Sequence, residues 1–154
     1  MIDTPQITQS DAQLIAYIPL VIPREEIMNV MGPGIGEVMS TVAAQGITPS
    51  GPWFTHHHRI DSEGWDFEIC VPVPTPVTPV GRVKPGEMPS IRVARTVYRG
   101  PYEGLADAWG EFETWIAANG YQGRADLWEQ YVVGPESSSN PEDWQTVLNR
   151  PLVD

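Results

Sequence analysis

Positive charge is what this sequence most lacks. Nine Lys and Arg stand against twenty Asp and Glu, a formal net charge of −11, so the counterion-release term that dominates nucleic-acid affinity has the wrong sign. Direct nucleic-acid binding by this chain is therefore not expected. Cysteine is nearly absent. Cys70 stands alone, which excludes an internal disulfide and, without a matched Cys/His set, a zinc motif of familiar spacing. Its simplest role is that of a small buried residue. No apolar run approaches the roughly 18 residues of a membrane span, and the first residues carry neither the basic start nor the apolar stretch of a secretory signal. A soluble cytoplasmic protein without a membrane partner is expected. Gly32-Pro33-Gly34-Ile35-Gly36 contains a proline and lacks the lysine of a phosphate loop, and Ser137-Ser138-Ser139 lacks a nucleophile-elbow context. No cofactor is implied.

What is present is enough for one domain: 154 residues, 41% of them hydrophobic. The 14 Gly and 16 Pro predict frequent, ordered loops rather than low-complexity disorder. Six Trp, five Tyr and three Phe give flat amphipathic side chains of the kind that line ligand sites.

Leu14–Ile22 reads as a strand closed by Pro23. A helical pattern starts at Ile27, is interrupted by Gly32, Pro33 and Gly34, and resumes through Ile35, Val38, Met39 and Val42 to Gly46. Trp53–Ile60 and the alternating Trp65, Phe67, Ile69, Val71 and Val73 predict a hairpin with one apolar face. A Pro-rich stretch over 75–90 favours an extended connection. The pattern then begins again: a strand from Ile91 to Tyr98, a turn at Gly100-Pro101, and a helix striped by Leu105, Trp109, Phe112 and Ile116 and ended by Gly120. Strands follow at Leu127–Val133 and near Thr146–Leu152, separated by a polar loop. Gly36, Glu37, Ala43, Ala44 and Gly46 match Gly110, Glu111, Ala117, Ala118 and Gly120 at constant spacing. The chain therefore reads as two βαββ repeats, about 12–74 and about 91–154, in an α+β fold. Neither half buries both sheet faces alone, so the expectation is pseudo-twofold packing with a ligand cleft between the halves.

Val97-Tyr98-Arg99-Gly100-Pro101-Tyr102-Glu103 opens the second helix, Ala118-Asn119-Gly120-Tyr121 ends it, and Trp128-Glu129-Gln130-Tyr131 follows on a strand. Together with Ala44-Gln45-Gly46-Ile47, Ser50-Gly51-Pro52 and Asp66-Phe67-Glu68-Ile69 in the first half, these motifs resemble the GyrI-like small-molecule-binding family. The same domain is the effector-binding module of bacterial AraC- and MerR-type transcription regulators. The resemblance covers nearly the whole chain. It implies binding of drugs or metabolites, with one branch restraining DNA gyrase and another hydrolysing cyclopropyl groups of natural products. The family usually carries Thr-Glu in its last strand, with the glutamate facing the cleft, whereas here Thr146 is followed by Val147. That departure weakens the hydrolase reading.

Strand parity puts Glu129 and Tyr131 on one face, away from Trp128 and Gln130. The repeat maps them onto Thr55 and His57, with Trp53 on the same side, and the polar side of the partner strand offers Glu68. Val147 and Asn149 take the positions nearest the family's cleft, and Tyr98 and Tyr102 belong to its Gly-Pro-Tyr turn. These ten residues form the candidate ligand wall. It suits a flat, apolar, cationic ligand, since aromatic faces attract cations and a partly buried carboxylate offsets the ligand's desolvation. Trp65 and Trp109 read as core, Trp115 as the edge of the helix stripe, and Trp144 has no assigned role. Of His56, His57 and His58 only the first and third can converge, and without a third ligand no metal site is assigned.

Three functions compete. The first is a stand-alone binding protein for aromatic or cationic compounds, favoured because no helix-turn-helix pattern precedes Leu14. The second is a hydrolase of electrophilic small molecules in which Glu129 or Glu68 activates water. The third is a gyrase-binding or regulator-interacting protein, which the even spread of the acids does little to support.

Overall fold

The computed structural model describes residues 2–60, 64–135 and 137–153. Its elements are β1 (Gln6–Gln9), β2 (Gln13–Ile22), α1 (Ile27–Ala44), β3 (Phe54–Ile60), β4 (Trp65–Val73), β5 (Lys84–Met88), β6 (Arg92–Arg99), α2 (Leu105–Ala118), β7 (Leu127–Val133) and β8 (Gln145–Pro151), with short 3-10 turns at Arg24–Glu26, Tyr102–Gly104 and Pro141–Asp143. The fold class is α+β. The chain divides into two compact units, one running from Asp11 to Ser90, the other combining the N-terminal segment through Ser10 with the chain from Ile91 onward.

In the first unit the antiparallel strands run in the order β3-β4-β2-β5. The alternating side of β4 forms the core: Phe67, Ile69, Val71 and Val73 pack with Ile18 and Leu20 of β2 and with Val38 and Val42 of α1. The expected break in the helix does not occur, and α1 is continuous through Pro33. Pro33 supplies no N–H to the ladder, but Gly34 lets the helix lie close to the sheet, where a Cβ would stand 2.5 Å from Ile69 Cδ1. Part of the Pro-rich connection pairs as β5 with β2, an edge position that tolerates Pro85.

The second unit orders its strands β1-β6-β8-β7. Ala108, Phe112 and Ile116 of α2 pack on Ala94 and Tyr98 of β6 and on Leu148 and Leu152. The matched Ala-Ala-polar-Gly segments share a physical cause. Gly46 at φ 71° and Gly120 at φ 80° take up left-handed backbone, and in both helices the amides of the glycine and the residue after it return to carbonyls of the last turn: Gly46 to Ala43 and Ile47 to Val42, Gly120 to Ala117 and Tyr121 to Ile116. This is the Schellman stop, which favours glycine at that position. Among the described residues no helix is long and apolar enough to cross a membrane.

Candidate functional site

On β7, Glu129 pairs with Leu148 and Tyr131 with Thr146. Cross-strand partners share a face, and Leu148 lies in the apolar cluster beneath α2, so Glu129 and Tyr131 project toward that helix. There Trp109 Nε1–H donates to Glu129 Oε2 at 2.6 Å and the Tyr131 hydroxyl donates to Glu129 Oε1 at 2.6 Å. Each carboxylate oxygen thus receives one short hydrogen bond. Burial pushes the Glu129 carboxyl above its ordinary range, and the bonds from Tyr131 and Trp109, which favour the anion, offset only part of that rise.

The turn before α2 brings a second layer of aromatics. The buried Tyr98 hydroxyl donates to the Pro101 carbonyl at 2.7 Å, fixing the backbone just ahead of Tyr102. The Tyr102 ring then meets Tyr131 edge-on at 5.9 Å and lies tilted against Trp144 at 4.8 Å. Trp144 is itself held by an Nε1–H bond to the Ser138 carbonyl at 3.0 Å. The result is a carboxylate bounded by indole and phenol rings. It can neutralise an organic cation whose flat groups rest on those rings, or hold a proton more tightly than an ordinary carboxylate does.

Two members of the expected wall point the other way. Val147 pairs with Gln130 and Asn149 with Trp128, which puts both on the face opposite Glu129. Asn149 is engaged there, accepting from Arg95 Nε at 2.6 Å and donating to Gln130 Oε1 at 3.1 Å. Parity along β8 makes this unavoidable, because Thr146 and Leu148 occupy the α2 side. Thr146 Oγ1 is buried there and has no hydrogen-bond partner among the described residues.

The first unit separates its candidates as well. Thr55 pairs with Ile69 and His57 with Phe67, so both face α1 and its core, and half-buried Trp53 packs against the same cluster. His57 is 5% exposed, stacks on Phe67 at 5.2 Å, meets Trp65 edge-on at 5.5 Å, and lies 2.8 Å from Thr55 Oγ1 through Nε2. Burial, then the charges of His56 and His58, push its pKa down to about 4, which keeps the imidazole neutral. Glu68 pairs with His56 and so lies on the face opposite Thr55 and His57, against the expectation that it shares their wall. Its Oε1 is 3.6 Å from His56 Nδ1 and its Oε2 is 3.4 Å from His58 Nε2. Burial acts to raise the Glu68 carboxyl, but the hydrogen bond from His56 and the charge of His58 outweigh it and hold the group below its ordinary value. Cys70 is buried, and its thiol is pushed well up by burial and by the Glu68 charge.

Sequence reasoning missed Trp109 and Trp144. Trp109 occupies an apolar stripe, and periodicity reads only the face of an indole, not the N–H on its edge. Its place one turn before Phe112, with a carboxylate on the next strand, was the available signal.

No curated relative matches the chain. Among solved structures, the C-terminal domain of EcmrR superposes with a TM-score of 0.87 at 20% identity, covering 98% of each chain. The chain spans 57% of the EcmrR chain solved in its complex with DNA. SAV2435, solved bound to tetraphenylphosphonium, gives a TM-score of 0.70 at 11% identity over 98% of this chain and 94% of that one. A hydrolase from Listeria innocua gives 0.68 at 14% identity over 97% and 91%. At these identities the likeness concerns the fold. The sequence profile of the GyrI-like small molecule binding domain matches residues 3–151; the chain belongs to that family.

Proposed function

We propose that this domain binds organic cations carrying aromatic groups at Glu129, without chemistry. The observation that carries this reading is the half-buried Glu129 carboxylate, held by Trp109 and Tyr131 at 2.6 Å each, with Tyr102 packed on Tyr131 and Trp144 on Tyr102. A carboxylate kept from water gains most from an ionic partner that brings little hydration of its own, and a delocalised aromatic cation is such a partner. The rings add cation–π attraction. That SAV2435 was solved with tetraphenylphosphonium supports the ligand class by analogy of fold.

Tryptophan fluorescence titration tests it, with tetraphenylphosphonium compared against neutral triphenylphosphine oxide. Saturable quenching by the cation, at least about tenfold tighter than by the neutral compound, is expected. Equal affinity for the two would remove the role of the carboxylate.

A hydrolytic reading draws on the same group, since a carboxyl with raised proton affinity suits general acid–base work. Glu68, the other carboxylate weighed for that role, is engaged by two imidazoles in the first unit. Val147 takes the place where the resemblance leads one to expect a glutamate, and its side chain faces away from Glu129. Binding therefore remains the primary reading. Turnover of a cyclopropyl-bearing electrophile that disappears in Glu129→Gln would reverse that order.

A further inference from the structure

We infer that His56, His58 and Glu68 form a binding site for a divalent transition-metal ion of the zinc class, separate from the Glu129 site. Their ligand atoms all lie within 4.8 Å of one another. His56 Nδ1 stands 3.6 Å from Glu68 Oε1 and His58 Nε2 stands 3.4 Å from Oε2, so the carboxylate lies beside both imidazoles at spacings near the edge of about 3.4 Å that a tetrahedron has when metal–ligand bonds are about 2.0–2.2 Å. The imidazole rings of His56 and His58 stand 4.3 Å apart and tilted by 51°, so they are not stacked flat on each other. Two imidazoles and one carboxylate make a borderline donor set that selects zinc, cobalt or nickel over calcium or magnesium, which take oxygen ligands.

The backbone explains how three donors meet on a strand pair. His56 and Glu68 are direct cross-strand partners, and the register then slips: His57 pairs with Phe67 and Arg59 with Asp66. His58 is the extra residue of a β-bulge. Alternation already puts His58 on the face of His56, and the bulge leaves it without a cross-strand partner of its own, beside the carboxylate that His56 faces. The His58 side chain is 42% exposed, against 13% for His56 and 21% for Glu68. The site therefore opens to solvent on one side, which leaves room for water as a further ligand. Cys70, on the same face but fully buried, lies outside this cluster of donors.

The test uses the untagged full chain, dialysed against chelator and titrated with Co²⁺ and then Zn²⁺. Calorimetry is expected to give one site per chain. Co²⁺ is expected to develop the intense visible absorption of a low-coordinate site and to lose it when Zn²⁺ displaces the cobalt. His58→Ala, at an exposed position, should fold normally and weaken binding at least about tenfold, and Glu68→Gln should do the same. Glu129→Gln should leave metal binding unchanged, so the metal result stands or falls independently of the organic-cation reading. Absence of a saturable site, or affinity unchanged in both His58→Ala and Glu68→Gln, would overturn the assignment.

Discussion

Replacing Glu129 by Gln changes one formal charge and almost nothing else, and the donor geometry shows why. Trp109 Nε1–H can only donate, so the amide oxygen introduced by Glu129→Gln must take the place of Oε2, which now accepts at 2.6 Å. The amide NH₂ then falls toward Tyr131, whose hydroxyl donates to Oε1 in the native protein and can rotate to accept instead. Both contacts survive. The desolvation that raises the Glu129 carboxyl disappears with the charge, so stability should change by less than about 1 kcal/mol, a shift in Tm of a few degrees at most. Binding of an organic cation should respond quite differently. Removing one partner of a desolvated charge pair costs about 2–5 kcal/mol, which at the lower end is about 30-fold in Kd. Fluorescence titration with tetraphenylphosphonium at pH 8 measures this loss, and triphenylphosphine oxide supplies the neutral control. A Kd for the cation within about threefold of the wild type, in a variant with unchanged Tm, would refute the claim that Glu129 recognises charge.

Other outcomes follow from the same geometry. Because Glu129 takes up its proton above the ordinary carboxyl value of 4.5, cation affinity should fall as pH drops through that raised value, and a titration from pH 8 to pH 4.5 with the permanently charged phosphonium should show the loss, which Glu129→Gln should abolish. The linked effect on folding has the opposite sense: the native state holds this proton more tightly than the unfolded chain, so the group's contribution to stability is fully present below 4.5 and is lost as pH rises through the native value. Trp109→Phe keeps the apolar packing and removes one donor to the carboxylate, so it should push the Glu129 pKa further up, seen as a shift of the binding pH profile, and weaken cation affinity at neutral pH by about tenfold. Tyr98→Phe leaves the Pro101 carbonyl without its bond and should cost about 1 kcal/mol, measurable by urea denaturation. Phe112→Ala, at a fully buried position of the α2 core, should cost about 3–5 kcal/mol in the same denaturation assay.

Much of this arrangement is legible in the sequence, wherever a single element's periodicity decides the matter. The stripe Leu105, Trp109, Phe112, Ile116 and the alternation of Phe67, Ile69 and Val71 both face cores, and β7 spans the expected Leu127–Val133. Parity within β7 correctly joined Glu129 to Tyr131 and set Trp128 apart. Parity cannot say which face of a neighbouring strand matches, because that depends on register, and a slip of one residue exchanges the faces. Residue pattern alone therefore groups Val147 and Asn149 with Glu129, and Glu68 with His57, although each lies on the opposite side. The bulge at His58 arises only in the pairing of β3 with β4 and leaves no local signal. Strands β1 and β5 escaped notice because short edge strands containing polar residues, glycine or proline lack the hydrophobic pattern that marks a buried strand.

Whether an aromatic organic cation seats on Glu129 among aromatic rings is decided by a crystal structure of the full chain with tetraphenylphosphonium. Ligand density is expected beside Glu129, with phenyl groups against Tyr102 and Trp144 and the Glu129 carboxylate as the nearest anionic group to phosphorus. Density for the ligand elsewhere, with Glu129 still bonded only to Trp109 and Tyr131, would show that this carboxylate is not the cation's partner.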